Sequence, residues 1–360
     1  MAFIKMLVTS FAHSITSLFF IIVVMFTYFR IRRNAQLEEY WLGFLRSPVS
    51  TQLVNVVFFG MLIGLIASLL IVLIGITIDY QAVLFVWPLA LILMLFNQRY
   101  MCFSYAGGII SLANLLTGWP KIDVSALIAL IGGLHLMESM LILADGHRDS
   151  LPVWVEHDKL QPVGAYLLQK VWPIPLVVLV IPYAGAQLAA NGGGVSMPDW
   201  WPLFRSQNVS QVYALFPIVA VLGYGDIAIT RLPDERARES GLSLAVYSIS
   251  VLTLAIVSSR VYWLKYVAAV SVPLFHELLV IVGKKRQLRG EPAFGVPWVG
   301  LRVLEVLPES PAEKMGIKRG DILLNVNGKS ISSQEMLYEA LGEYLYIVWV
   351  DVKRGDSVLS

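Results

Sequence analysis

The sequence has few charged residues and almost no cysteine. Charged residues make up 14% of its 360 residues, against roughly 25% in an ordinary soluble protein. Hydrophobic residues make up 57%, and the mean hydropathy is +0.70. Because these charged residues are too few to form a fully water-exposed surface, we expect lipid to replace water over much of the molecule. The single cysteine, Cys102, excludes an internal disulfide and a cysteine-based zinc site.

Long apolar runs recur along the first 290 residues. A membrane helix needs about 20 mostly apolar residues. The candidate runs are 11–29, 53–78, 82–97, 101–117, 123–144, 171–190, 209–229, 241–259 and 261–283. The third and fourth are short, and only "NQRYM" separates them, so a tight hairpin or a re-entrant pair also fits. The pattern predicts a polytopic α-helical membrane protein with about eight or nine transmembrane helices.

The positive charges indicate how these runs are oriented. Lys and Arg in short loops favour the cytoplasmic side of a membrane. With the N-terminus outside, the inner loops hold most of them, and the outer loops hold only Lys5, Lys121, Arg205 and Arg260. The basic stretch "KKRQLR" follows the last apolar run directly. We therefore expect the C-terminus to lie in the cytoplasm.

The composition changes at Glu291, which predicts a membrane domain at 1–290 and a separate domain at 291–360. The second segment alternates apolar and polar residues and carries the pattern V-x-P-x-S-P-A-x-x-x-G-I-x-x-G-D-x-L-x-x-V-N-G-K. It resembles a bacterial PDZ domain, an α+β fold. Ser310 is expected to cap a short helix, Asn327-Gly328 to form a hairpin turn, and Ser332 or Ser333 to cap a second helix.

The PDZ resemblance implies a peptide-binding groove. Such domains add an extended peptide as a strand beside a helix, here the helix face of Leu337, Ala340 and Leu341. The candidate carboxylate-binding loop is Phe294, Gly295 and Val296. Pro297 follows and has no amide hydrogen, so one ladder bond is missing. A free C-terminus, an internal segment and a folded partner all stay open as ligands.

The last apolar run contains "PLFHELLVIVGKKRQ", with the first half of the H-E-x-x-H metalloprotease motif. In that motif two histidines four residues apart bind one zinc ion. Val280 stands where the second histidine is needed after His276-Glu277. The missing second ligand predicts no bound zinc and no proteolysis at this motif.

Two groups of polar residues lie inside apolar runs. His135 and Glu138 are three residues apart, on one helix face, and His276 and Glu277 form the second group. Ionisable groups inside membranes are costly and often mark function, but polar side chains also join helices. Interhelical contact, an ion or proton path, and a regulated partner site remain open.

The whole chain resembles the MinJ family, polytopic PDZ-bearing division-site proteins of Gram-positive bacteria. The resemblance rests on the terminal PDZ-like domain and on "GGLHLMESMLI", "LPVWVEHDKLQPVGAYLLQKVWPIPL" and "PLFHELLVIVGKKRQ". It implies a membrane scaffold that holds the Min division-site machinery at septum and poles. The resemblance implies that this scaffold is not an enzyme and has no catalytic residue, no metal and no cofactor. The implied partners are the lipid bilayer and DivIVA-like and MinD-like proteins, with no nucleic acid and a possible homo-oligomer. The alternative is an ion- or proton-linked transporter or a relic of an intramembrane protease.

Overall fold

The structure is a computed structural model that describes residues 2–78, 80–156, 163–180, 201, 204, 214–295, 297–342 and 347–360. Helices dominate the part before residue 290. They are α1 (Ala2–Thr16), α2 (Leu18–Leu42), α3 (Val49–Ile74), α4 (Tyr80–Phe96), α5 (Phe103–Thr117), α6 (Val124–Asp145), α7 (Pro233–Arg260) and α8 (Leu264–Arg289). A 3₁₀ turn, Gln98–Met101, joins α4 to α5.

Fewer helices could cross a membrane than the sequence predicts. In the described part of the chain, α3, α6, α7 and α8 are long and apolar enough, which makes four. The count reaches five if α1 and α2, which are bent by 53° at Ser17, form one broken span. The helices α4 and α5 are shorter, as their short apolar runs indicated. The predicted count of eight or nine is therefore not confirmed for the described residues.

Two predicted spans, 171–190 and 209–229, are strands wherever the structure describes them. The strands are β1 (Thr77–Ile78), β2 (Leu151–Val155), β3 (Val163–Val180) and β4 (Ala214–Ala228). In the sheet β3 lies between β4 on one side and β1 and β2 on the other. The antiparallel β3–β4 pair runs in unbroken register from Tyr166↔Ala228 to Val180↔Ala214. Hydropathy alone cannot separate a buried strand from a membrane helix. Val and Ile in "KVWPIPLVVLV" favour the strand, and the two prolines disfavour a helix interior.

The prolines of β3 lie at positions where a backbone N–H group would point away from β4. The amide of Val177 donates to Ser68 Oγ of α3 at 2.8 Å, so it points away from β4. Amide directions alternate along a strand, so Pro173 and Pro175 fall on the same unpaired edge. A Cβ added to Gly60 or Gly64 of α3 would lie 2.3 Å from the carbonyl oxygen of Pro173 or Pro175, respectively. The two glycines therefore let α3 cover the free edge of β3 at backbone contact distance.

The main core lies between this sheet and α3, α6 and α7, and it encloses a charged cluster. Trp172 is fully buried and donates its indole N–H to Asp145 at 2.9 Å. Lys170 lies 3.6 Å from the same carboxylate and 2.9 Å from Asp149. Buried charges are stable only when paired and hydrogen-bonded, and this arrangement supplies both at the end of α6.

The C-terminal part has the predicted elements in the predicted order. They are β5 (Leu301–Arg302), α9 (Pro311–Lys314), β6 (Ile322–Val326), β7 (Lys329–Ser330), α10 (Gln334–Leu341), β8 (Val350–Arg354) and β9 (Ser357–Leu359). Ser310 and Ser333 cap α9 and α10 by accepting backbone N–H bonds. Asn327 and Gly328 have φ of 51° and 77°, the conformation that a type I′ hairpin turn requires. The strand order is β5-β6-β8-β9, with β7 beside β6. The division at 290/291 stays a prediction.

Candidate functional site: the PDZ edge and the buried histidine cluster

The predicted groove helix lies against the small core of the C-terminal part. Ala340 is buried with Val326 and Ile331, and Leu337 and Leu341 pack against them while half-buried. Among the described residues β5 has one sheet neighbour, β6, so its other edge is free there to pair with a peptide strand. The structure therefore brings the three helix residues together on one side of this free edge.

The predicted loop residues lie elsewhere. Phe294 is 5% exposed and its ring packs on Tyr166 of β3 at 5.4 Å between centroids. Its carbonyl accepts the amide of Gly164 at 3.3 Å. Gly295 follows it and accepts a bond from Arg302 Nε at 3.0 Å, whereas Val296 is outside the described residues. Phe294 thus joins the C-terminal part to the helical part, and its role in peptide binding stays a prediction.

Sequence reasoning missed the residues that lead directly into the edge strand. Trp298 is 104% exposed and Val299 is 63% exposed, just before β5. Gly300 has φ +90°, and a Cβ there would lie 2.5 Å from both Ile322 Cγ2 and the Leu323 carbonyl oxygen. Only glycine fits this turn. The sequence "PWVGL", in which two large apolar side chains precede a glycine, was the signal that could have indicated this exposed surface.

A second contact between the two parts of the chain is ionic. Arg46, between α2 and α3, bonds to Glu38, to the carbonyl of Ser150 and to Glu305, with 2.7 Å between its Nη1 and Glu305 Oε2. Glu305 also pairs with Arg319 at 2.8 Å. The hydroxyl of Tyr166 donates to the Leu304 carbonyl. We call this set of contacts around Arg46, Glu305 and Tyr166 the clasp.

The predicted intramembrane histidines meet in space. Nε2 of His135, in the middle of α6, lies 3.1 Å from the sulfur of Cys102, which caps α5. Nε2 of His276, in α8, lies 3.5 Å from the same sulfur. The two imidazole rings are 5.2 Å apart between centroids. Among the described residues this is the group of histidine, cysteine and carboxylate side chains whose geometry could hold a metal ion.

The cluster continues toward the surface through hydrogen bonds. Nδ1 of His276 lies 3.2 Å from the hydroxyl of Tyr105. That hydroxyl donates to Glu277 Oε2 at 2.5 Å, and the other carboxylate oxygen pairs with Arg99 at 2.8 Å. The side chains of Arg99 and Glu277 are 38% and 25% exposed, so this chain connects the buried His135 and the half-buried His276 to the protein surface.

Glu138 does not belong to the ligand-forming group. It lies one helical turn beyond His135 on α6 and is half-buried, but the atoms that approach Cys102 come from the two histidines. Of the four predicted polar residues, the structure therefore joins His135, His276 and Glu277 through Cys102 and Tyr105. Local spacing could not reveal Cys102 or Tyr105, because they come from a different helix.

The fold and these sites define a helix-rich protein with several helices that could span a membrane and a PDZ domain at its C-terminal end. The PDZ domain family matches residues 302–345. The chain is 26% identical over 225 residues to the cell division topological determinant MinJ of Bacillus subtilis (strain 168). That match covers 62% of this chain and 52% of MinJ, so the chain spans about half the length of that relative. The predicted resemblance to MinJ is confirmed.

Shorter similarities reach serine proteases. The chain is 43% identical over 58 residues to serine protease HTRA1 of Xenopus laevis. It is 39% identical over 59 residues to the probable serine protease do-like of Buchnera aphidicola. Each match covers 16% of this chain and 12% of the protease, and it concerns the PDZ region rather than a catalytic domain. No solved structure matches the chain significantly.

Proposed function

We propose that the protein is a non-enzymatic membrane scaffold that positions the division-site (Min) machinery at septum and poles. The observation that carries the proposal is the similarity to MinJ together with a PDZ domain that keeps a free strand edge next to an apolar helix face. A scaffold needs an anchor in the bilayer and a docking surface in the cytoplasm. The apolar helices supply the first and the PDZ edge supplies the second.

The partners proposed are DivIVA-like and MinD-like division proteins, which the chain bridges at the membrane. An exposed apolar surface marks an interaction site, and Trp298, Tyr338 and Trp349 of the PDZ part are each more than 60% exposed. Aromatic side chains are enriched among the residues that dominate binding energy in protein interfaces. We place the docking surface at β5 and α10 for this reason.

The proposed orientation has the C-terminus in the cytoplasm. Strands β3 and β4 are antiparallel, so the chain enters and leaves this pair at the same end, as it would with two antiparallel helices. The distribution of Lys and Arg along the chain therefore favours the same orientation as before. A reporter that is active only outside the cell, fused after Ser360, should stay silent. A strong signal from that fusion would reject the orientation.

The partner test uses imaging of cells that carry fluorescent DivIVA-like or MinD-like proteins. Deletion of 291–360 and the single variant Tyr338→Ala should both lower recruitment of a partner, while the protein itself keeps its membrane position. Tyr338 is 65% exposed, so its truncation removes contact surface with little effect on folding. Lys329→Ala, on the short strand β7, is the control. If the deletion leaves recruitment unchanged, the docking surface lies on the segment 145–170 or the segment 230–240 instead.

A further inference from the structure

We propose that Cys102, His135 and His276 form a binding site for a zinc-like divalent transition-metal ion. The site goes beyond the scaffold function and does not depend on it. One thiolate and two imidazoles are the ligand types that zinc prefers. The three ligand atoms lie within 4.8 Å of one another and come from three separate helices or their caps.

The separations between the three ligand atoms are close to those around a bound metal ion. With Zn–S and Zn–N bonds of about 2.3 and 2.0–2.1 Å, a tetrahedral ion places sulfur and nitrogen roughly 3.6 Å apart. The two observed distances from Cys102 Sγ are 3.1 Å to His135 Nε2 and 3.5 Å to His276 Nε2. Small adjustments of the three side chains are enough to admit an ion.

The hydrogen bonds fix both imidazoles in the form that binds metals. Nδ1 of His135 lies 2.8 Å from the Ile131 carbonyl, which can only accept, so Nδ1 carries the proton. Tyr105 donates its own proton to Glu277, so its oxygen accepts from Nδ1 of His276. Both Nε2 atoms therefore face Cys102 as lone pairs. Outer partners of this kind, a carbonyl for one histidine and a carboxylate relay for the other, are typical of metal-ligating histidines.

The available protons do not satisfy these lone pairs. The Tyr247 hydroxyl donates to the Val272 carbonyl at 2.9 Å, so Ser104, 3.0 Å away, donates to Tyr247. The Ser104 proton is then not available to His135, although its oxygen lies 3.2 Å from Nε2. The thiol of Cys102 carries one proton for two Nε2 lone pairs. A cation bound to the thiolate would satisfy both histidines together.

The absent second histidine and the single cysteine exclude a zinc site on one helix and a zinc site made of several cysteines. They do not exclude a site shared by several helices. Val280 does remove the second histidine of H-E-x-x-H, but α6 supplies His135 and the start of α5 supplies Cys102. The ion would join α5, α6 and α8 at one point and leave a fourth position outside the protein ligands, as in sites with three protein ligands.

The test uses the purified full-length protein in lipid nanodiscs, stripped with a chelator and titrated with Co²⁺ or Zn²⁺. Cys102 is the only cysteine in 360 residues, so a thiolate–cobalt charge-transfer band can arise from no other residue. We expect one metal ion per chain, that band, and protection of Cys102 from alkylation by Zn²⁺. Cys102→Ser, His135→Gln and His276→Gln should each abolish the band, and Tyr105→Phe should weaken binding about 10- to 100-fold.

His147→Gln is the matched control, because it changes a histidine outside the cluster by the same substitution and should bind like the unchanged protein. The alkylation arm uses the unchanged protein alone, so it stays decisive even if a ligand variant fails to fold. No cobalt–thiolate band, together with equal alkylation rates with and without Zn²⁺, would overturn the proposal. Metal that binds equally to all three ligand variants would overturn it as well, since such an ion is adventitious only.

Discussion

Arg46 and Glu305 form an ion pair that joins the helical part of the chain to its PDZ domain, with 2.7 Å between Nη1 and Oε2. The side chains are 14% and 9% exposed. The two residues are 259 positions apart in the sequence. The clasp therefore sets where the free edge of the PDZ domain stands relative to the apolar helices.

Loss of this pair should loosen the PDZ domain. Arg46→Ala leaves Glu38 without its cation and Glu305 with Arg319 alone, and breaking a buried pair costs about 3–5 kcal/mol. We expect a lower thermal unfolding midpoint and faster proteolysis near residues 290–300. Lys329→Ala, an exposed lysine of β7, serves as the control. Equal proteolysis rates for the two variants would show that the clasp does not hold the domain.

Two glycines of α3 should tolerate no side chain. Gly60→Ala and Gly64→Ala each place a Cβ 2.3 Å from a proline carbonyl oxygen of β3, so the helix must move away from the strand. A cost of about 1–3 kcal/mol is expected from overpacking of this kind. Gly133→Ala in α6 is the matched control, since nothing lies within 4 Å of the added carbon, and it should gain up to about 1 kcal/mol of helix propensity. The measurement is the thermal unfolding midpoint of each of the three variants in the same detergent. Equal midpoints would contradict the close packing of α3 on β3.

The turn before the PDZ edge strand separates conformational strain from steric conflict. Gly300 and Gly328 both have positive φ, but only Gly300 has neighbours within 4 Å of an added Cβ. Gly328→Ala should cost about 1–2 kcal/mol for the left-handed backbone alone, and Gly300→Ala should cost more. Denaturant unfolding of the PDZ region, followed by tryptophan fluorescence, measures both. A larger loss of stability for Gly328→Ala than for Gly300→Ala would contradict the steric conflict at Gly300.

The pH dependence of the PDZ domain should report one buried carboxylate. The Arg354 guanidinium, hydrogen-bonded to Asp321, lowers the pKa of that carboxyl below its usual range, and the Lys318 amide adds to the effect. A lowered folded-state pKa stabilises the fold above the ordinary value of about 3.9, and this stabilisation is lost as the pH falls through the lowered pKa. The stability difference between the unchanged protein and Asp321→Asn should therefore be constant near neutral pH and shrink below pH ~4. A difference independent of pH down to pH 2 would contradict the assignment.

The sequence predicted the PDZ elements well because their signals are local. Ser310, Asn327 and Gly328 each specify a cap or a turn through their own backbone preferences, and the structure has all three. The run at 171–190 was misassigned at 171–180, the residues that the structure describes, because an 18-residue apolar strand has the length and hydropathy of a membrane helix. What separates them is the free strand edge that Gly60 and Gly64 cover, and that is a contact between distant segments.

The candidate sites show the same difference between local sequence signals and contacts that join distant segments. The helix face of Leu337 and Leu341 follows from helical spacing along one element, and its role in peptide binding stays a prediction. The cluster of Cys102, His135 and His276 joins three elements, and no spacing rule along one helix can reveal it. The clasp was missed for the same reason, since Arg46 and Glu305 belong to different parts of the chain.

The central claim, that the protein is a division-site scaffold, is tested most directly by where it lies in dividing cells. The full-length chain carries a fluorescent tag after Ser360 and is imaged together with a membrane dye through one division cycle. The account predicts enrichment over the dye at the septum, followed by retention at the new poles. Fluorescence that follows the membrane dye evenly around the cell throughout division would contradict it.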